Sequence, residues 1–201
     1  MPRKQSISKE AIIEAAFNIL RTRGFDECSV RNISAELGIS TMPIYSQFEN
    51  MEALEQVLFE KTKMTHVEFQ KRPYTDNGLM NMSIGSIVFA QDEPMLFRFL
   101  HFDRPRKLTK DQKEKLFSDE FVDTINEEME FSPDADSPFD QSLPDSSAQE
   151  IAQIGQKGWI FTHGLATMVY SGMLPKMSVD EIAKLMTEAG TAFYLFHTKE
   201  K

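Results

Sequence analysis

The stretch Val30 to Phe48, VRNISAELGISTMPIYSQF, constrains this chain more than any other, because its spacing predicts two short helices joined by a tight glycine turn. Ser29 can cap the first helix by accepting a backbone N–H bond, and Ile33 with Leu37 forms an i, i+4 apolar pair that faces inward. Gly38 ends that helix, since glycine tolerates the left-handed conformation the turn needs, and Ser40 is placed to cap the second one. Pro43 falls at the third position of the second helix. Its missing N–H costs little there, because first-turn N–H groups have no intrahelical acceptor. Ile44 and Phe48 share the inner face. Thr41, Met42, Tyr45, Ser46 and Gln47 are left on or near the outer face, the arrangement that sets a helix into a DNA major groove.

The flanks continue the pattern. A first helix is expected from about Ser8 to Arg23, with Ile13, Phe17 and Leu20 on one face and Ile12, Ala16 and Ile19 widening the stripe; Gly24 stops it. A longer helix begins near Asn50 and runs to about Arg72, with Leu54, Val57, Leu58 and Met64 at helical spacing. Pro73 and the turn Thr75 to Gly78 mark a seam. The expected division is residues 1–50 as a helix-turn-helix domain and 51–201 as a larger helical domain, with 51–72 as the connecting helix.

The ordered signals of IIEAAFNILRTRGFDECSVRNISAELGISTMPIYSQFENMEAL resemble the N-terminal domain of the TetR (TetR/AcrR) family of transcriptional regulators over Ile12 to Leu58. Ala15, Ala16, Gly24, Phe25, Val30, Ile33, Ala35, Gly38, Tyr45, Phe48, Glu52 and Leu54 carry the likeness. It implies a homodimeric regulator, usually a repressor, that binds a palindromic operator in double-stranded DNA and is released by a small-molecule effector. Tyr45 matches the family's tyrosine, which usually touches the DNA backbone. The family usually has lysine where this chain has Met51, so one phosphate contact loses its charge.

Beyond the seam everything readable is helical, and the fold class is all-α. Leu79 to Gln91 forms one helix and Glu93 to His101 the next, opened by Asp92 as cap and by Pro94 in the first turn. Asp103 to Lys107 is a polar turn, and Thr109 to Glu130 carries Leu116, Phe117, Phe121, Ile125 and Met129 in a stripe. From Phe117 to Gln156 there is no Lys or Arg, while eleven Asp/Glu are present, which predicts a solvated loop over Ser132 to Ser147. Asp134, Asp136 and Asp140 do not make a calcium loop, because the glycine it requires is Phe139.

Two final helical stripes differ from the others. Ile151, Ile154, Gly158, Phe161, Leu165, Met168 and Gly172 repeat every three or four residues, as do Ile182, Leu185, Met186, Ala189, Phe193 and Phe196. Small residues interrupt both, so two such pairs could approach closely across a two-fold axis as a four-helix bundle. That resembles the way the family dimerises. The expected interface is Ile154, Phe161, Leu165, Met168, Leu185, Ala189 and Phe193. The segment GWIFTHGLATMVYSGML also looks like a tryptophan-histidine-glycine stretch in the C-terminal domain of some family members.

Net charge of −9 would disfavour a DNA partner if it were evenly spread. Residues 1–50 carry six Lys/Arg and six Asp/Glu, so the acidic excess lies entirely beyond them. Arg3, Lys4 and Lys9 precede or open the first helix, where a basic arm can reach phosphates. No apolar run approaches the roughly 20 residues of a membrane span, and MPRKQSISKE lacks the apolar middle of a signal peptide, so a cytoplasmic protein without a membrane partner is expected. Cys28 stands alone, which excludes an internal disulfide, and it reads as a small residue of the Asp26 to Ser29 turn. Neither a cofactor nor a metal is expected.

Candidate DNA contacts are Arg31, Ser40, Thr41, Met42, Tyr45, Ser46, Gln47 and Met51. Hydroxyl, amide and free helix-opening N–H groups suit phosphates, and Met42 and Thr41 suit thymine methyls. Candidate ligand contacts are Phe97, His101, Phe117, Phe121, Trp159, His163 and Met168, an aromatic and methionine set suited to an adaptable apolar cavity with two polar handles. An enzyme is the competing class, and no Ser/His/Asp set, metal-ligand spacing or phosphate loop supports it. A helical adaptor that has lost DNA affinity is the other, supported by Met51 and the low positive charge.

Overall fold

The computed structural model describes residues 7–103, 109–115, 118 and 147–198. Among the described residues every regular element is helical: α1 Lys9–Arg23, α2 Val30–Leu37, α3 Met42–Gln47, α4 Met51–Gln70, α5 Gly78–Asp92, α6 Pro94–Arg98, α7 Lys110–Lys115, α8 Ala148–Tyr170 and α9 Val179–Thr198. A short 3₁₀ turn, Phe25–Glu27, follows α1, and α6 widens into a π turn over Phe99–Asp103. The chain folds as two compact units, one from residues 1–65 and 93–106 and the other from residues 66–92 and 107–201. It passes between them within α4, again between α5 and α6, and once more after residue 106. Pro73 and the turn after it lie inside the second unit.

In the first unit Ser8 caps α1 by accepting the Ala11 N–H at 3.1 Å. The buried stripe of α1 centres on Ile12, Ala16, Ile19 and Leu20, each fully buried, while Ile13 keeps some surface. Of the expected face Ile13, Phe17 and Leu20, the last two are buried and Ile13 is not, and the difference follows from what packs on α1, namely α2, α3 and α6. Phe99 of the π turn stacks on Phe25 with ring centroids 4.9 Å apart and meets Phe59 edge-on at 6.3 Å. Arg21 of α1 makes a two-pronged ion pair with the buried carboxylate of Glu93, its Nε donating at 2.7 Å. A carboxylate taken out of water needs such a partner. Glu93, not Asp92, is the residue that precedes α6, and it makes no side-chain capping bond because its carboxylate is turned to Arg21.

The second unit is built around α5, which packs against both α8 and α9. Ile84, Ile87, Val88, Phe89 and Ala90 are all buried, so α5 is apolar on more than one face, as a helix enclosed by others must be. The end of α4 crosses α5 at Gly85, where a Cβ would stand 2.3 Å from Phe69 O and 2.6 Å from Gln70 Cα. Only glycine allows that approach. Capping boxes open the last two helices: Ser147 with Glu150 on α8 and Ser178 with Glu181 on α9. Buried Gln91 pairs reciprocally with the Met177 backbone, at 2.7 and 3.1 Å, and so fixes the segment that leads into α9.

The polar turn expected at 103–107, the stripe from Leu116 to Met129 and the acidic loop with Asp134, Asp136 and Asp140 fall almost wholly outside the described residues. Of the helix expected from Thr109, the described part is α7.

Candidate nucleic-acid interface

The reading unit assembles from short-range bonds. Ser29 caps α2 by accepting the Asn32 N–H at 3.2 Å, and Asn32 in turn donates to the Glu27 carbonyl at 2.9 Å, tying α2 to the preceding turn. Gly38 adopts φ 64°, the left-handed conformation, and the next N–H, of Ile39, closes the helix end on Ser34 O at 3.0 Å. This is the glycine stop that the spacing required. One detail differs. Thr41, not Ser40, precedes α3, and its side chain makes no capping bond, because it already has helical torsions at φ −72° and ψ −19°. Pro43 therefore stands at the second helical position rather than the third, still within the turn that needs no donor.

Ile44 and Phe48 are buried and pin α3 to the unit. The outward face presents Met42 at 74% exposure and Tyr45 at 61%. Ser40, Thr41, Ser46 and Gln47 are exposed beside them, and Arg31 is exposed on the first turn of α2. The Ser46 hydroxyl donates to Pro43 O at 2.8 Å, so it meets a partner chiefly as an acceptor. Met51, partly exposed, opens α4. Asn50, not singled out from the sequence as a cap, accepts the Ala53 N–H at 2.8 Å. An asparagine three residues before that N–H was the available signal.

The Cys28 thiol is buried and donates to Ala16 O at 3.4 Å, and burial pushes its pKa up to about 11. It is a packing residue by environment.

The other candidate residues divide between the two units. Phe97 is buried and His101 half-buried in the first, their rings 4.5 Å apart. Trp159, His163 and Met168 lie on α8 in the second, all three exposed. Phe117 and Phe121 lie outside the described residues. Also in the second unit, His66 stacks on Phe89 at 4.7 Å and approaches the Ser86 hydroxyl at 3.3 Å, to which Gln70 donates at 2.9 Å. Desolvation, with the nearby His163 adding to it, lowers the His66 pKa to about 4. Partial desolvation by its neighbours lowers that of the exposed His163 too.

Of the residues expected at a dimer interface, Ile154 and Leu165 are buried within their own chain against neighbouring helices of the unit. Phe161 and Phe193 meet edge-on at 6.2 Å and, like Leu185 and Ala189, stay partly exposed. The surface of α8 and α9 carries Trp159, Ile160, Met168, Tyr194, Leu195 and Phe196, all exposed.

Residues 12–56 match the family described as bacterial regulatory proteins, tetR family. Among solved structures, the chain is similar to a TetR-like transcriptional regulator from Rhodococcus sp. RHA1, with a TM-score of 0.55 at 18% identity over 94% of this chain and 96% of that one. At that identity the likeness concerns the fold, and it extends the shared helical architecture beyond the matched segment. No curated protein matches the chain. With a capped α2, a left-handed glycine stop and an exposed α3 on the residues that the family match covers, the N-terminal part of this chain is the DNA-binding domain of the TetR family of bacterial regulatory proteins.

Proposed function

We propose that the protein is a homodimeric, ligand-responsive transcriptional repressor that binds a palindromic operator through its N-terminal helix-turn-helix and leaves it on binding a small apolar or amphipathic effector. The exposed Met42 and Tyr45 face of α3 carries this reading. Thr41, Met42, Tyr45, Ser46 and Gln47 enter the groove, and Arg31, Ser40 and the opening of α4 at Met51 position the backbone. Residues 1–50 serve DNA; residues 51–201 serve dimerisation and ligand, joined through the 51–72 helix. Two-fold symmetry of the protein would be mirrored in the operator.

The apolar surface of α8 and α9 supports the dimer, because a cluster that includes Trp159, Ile160, Leu195 and Phe196 is costly to leave in water. The candidates for effector contact are Phe97 and His101 in the first unit and, separately, Trp159, His163 and Met168 in the second. A regulator that acts on genomic DNA would work in the cytoplasm, without a cofactor and without turnover. Among the described residues no helix is long and apolar enough to cross a membrane. Binding of the purified protein to the DNA upstream of its own gene, measured across a salt series, tests the reading. Affinity that falls steeply with salt and exceeds that for random sequence is expected, and absence of both would overturn it.

A further inference from the structure

Between Ile7 and Gln56 the chain has four cations, Lys9, Arg21, Arg23 and Arg31. Two of them are spent inside the protein, Arg21 on Glu93 and Arg23 on Glu36 at 2.8 Å. Among the described residues no ion pair engages Lys9 or Arg31. Arg31 sits on α2. Lys9 is carried by the first turn of α1, yet its Nζ lies 5.0 Å from the ring centroid of Phe48, the last buried residue before the turn into α4. That turn is otherwise acidic or neutral: Glu49 and Glu52 are exposed, and Met51 brings no charge. The first turn of a helix is also where a cation is disfavoured by the helix dipole, so α1 itself gives no reason for a lysine there.

We infer that Lys9 is a DNA phosphate contact, the cation that the fold brings to the junction of α3 and α4. The Lys9 ammonium lies over the ring of Phe48, the residue that ends the reading helix, so it is held beside the α3–α4 turn with part of its side-chain freedom already lost. A phosphate passing the α3–α4 turn would otherwise meet only backbone and neutral donors among two carboxylates. Lys9 offsets their repulsion and fixes the register of α3 without reading bases. This rests on the DNA-binding reading above. The alternative is that Lys9 only shields Phe48, with no part in binding.

Lys9→Met and Lys9→Arg separate the two. Methionine keeps an unbranched apolar stem over Phe48 and removes the charge, whereas arginine keeps both. The probe is a random-sequence duplex DNA pool, titrated against the wild-type chain and each variant across a salt series, with thermal unfolding of each protein measured alongside. The Lys9→Met variant is expected to unfold at the wild-type temperature, bind more weakly, and show a log–log salt slope shallower by about 1, with Lys9→Arg restoring the slope. An unchanged slope in Lys9→Met, with the wild type binding normally, overturns the role of Lys9 and leaves the DNA-binding reading standing. A wild-type chain that shows no salt-dependent binding overturns both.

Discussion

On the proposed reading, Met51 is the position at which a single substitution tests DNA affinity most directly. It opens α4, where free N–H groups and the positive end of a 20-residue helix already favour a phosphate, but it adds no charge of its own. Met51→Lys should tighten binding to all DNA about equally and steepen the salt slope by about 1, since methionine and lysine have similar helix propensity. Titrating operator and random DNA with both proteins checks this, and an equal slope would mean that Met51 does not face a phosphate. His66 sets a different dependence. Its folded pKa of about 4 lies below its ordinary 6.5, so between those values the unfolded chain takes up a proton that the native one refuses. Above pH 6.5 the group contributes nothing; as pH falls toward 4 it costs stability, at most about 3 kcal/mol because the ring keeps some surface. Denaturant unfolding from pH 7 to 4 should show this loss, and His66→Gln should remove that part of the slope. Nothing in the sequence foretold it. A histidine among helical residues reads the same whether its ring is in water or against Phe89. The pairing of Arg21 with Glu93 was equally illegible, because the partners are 72 residues apart.

Helices were legible where local chemistry sets their ends. Ser8, Ser29, Gly38 and Pro43 act over three or four residues, so α1 and α2 lie close to their expected bounds, and α3 lies among its expected residues although its cap shifted by one. The orientation of a stripe was less legible, since several faces of α1 are apolar and the choice depends on elements far along the chain. The same ambiguity bears on α8. Its repeat includes Leu165, which is buried at home, while Ile160 on another face is 54% exposed. Leu165→Glu would therefore place an unpaired charge in the unit's own core and unfold it, a loss of about 3 kcal/mol or more. Ile160→Glu leaves the core intact. If the outer face of α8 joins two copies, this variant should sediment as a folded monomer with undiminished helical circular dichroism, and a persisting dimer would remove that face from the interface.

At the scale of the whole molecule, an effector of the proposed dimer could weaken DNA binding only by preferring the arrangement that does not read DNA, most simply through the 51–72 helix and the spacing of the two reading heads. Such coupling is reciprocal. A compound that acts this way should bind less tightly when operator DNA is present, by the same factor that it weakens the DNA, and calorimetry with and without operator measures both. Equal affinity in the two titrations would show that the compound is no effector. The composition of the first unit has a separate bearing on how this protein can be altered. Its family signature ends at residue 56, but the unit also takes in residues 93–106, where Phe99 covers Phe25 and Glu93 holds Arg21. A gene cut after residue 65 would thus deliver the recognisable signature without the chain that completes its core. The N-terminal signature of this protein is portable as text but not as an object: grafting it onto another partner would require carrying the separate 93–106 stretch as well, or rebuilding the apolar surface of α1 that this stretch now keeps dry.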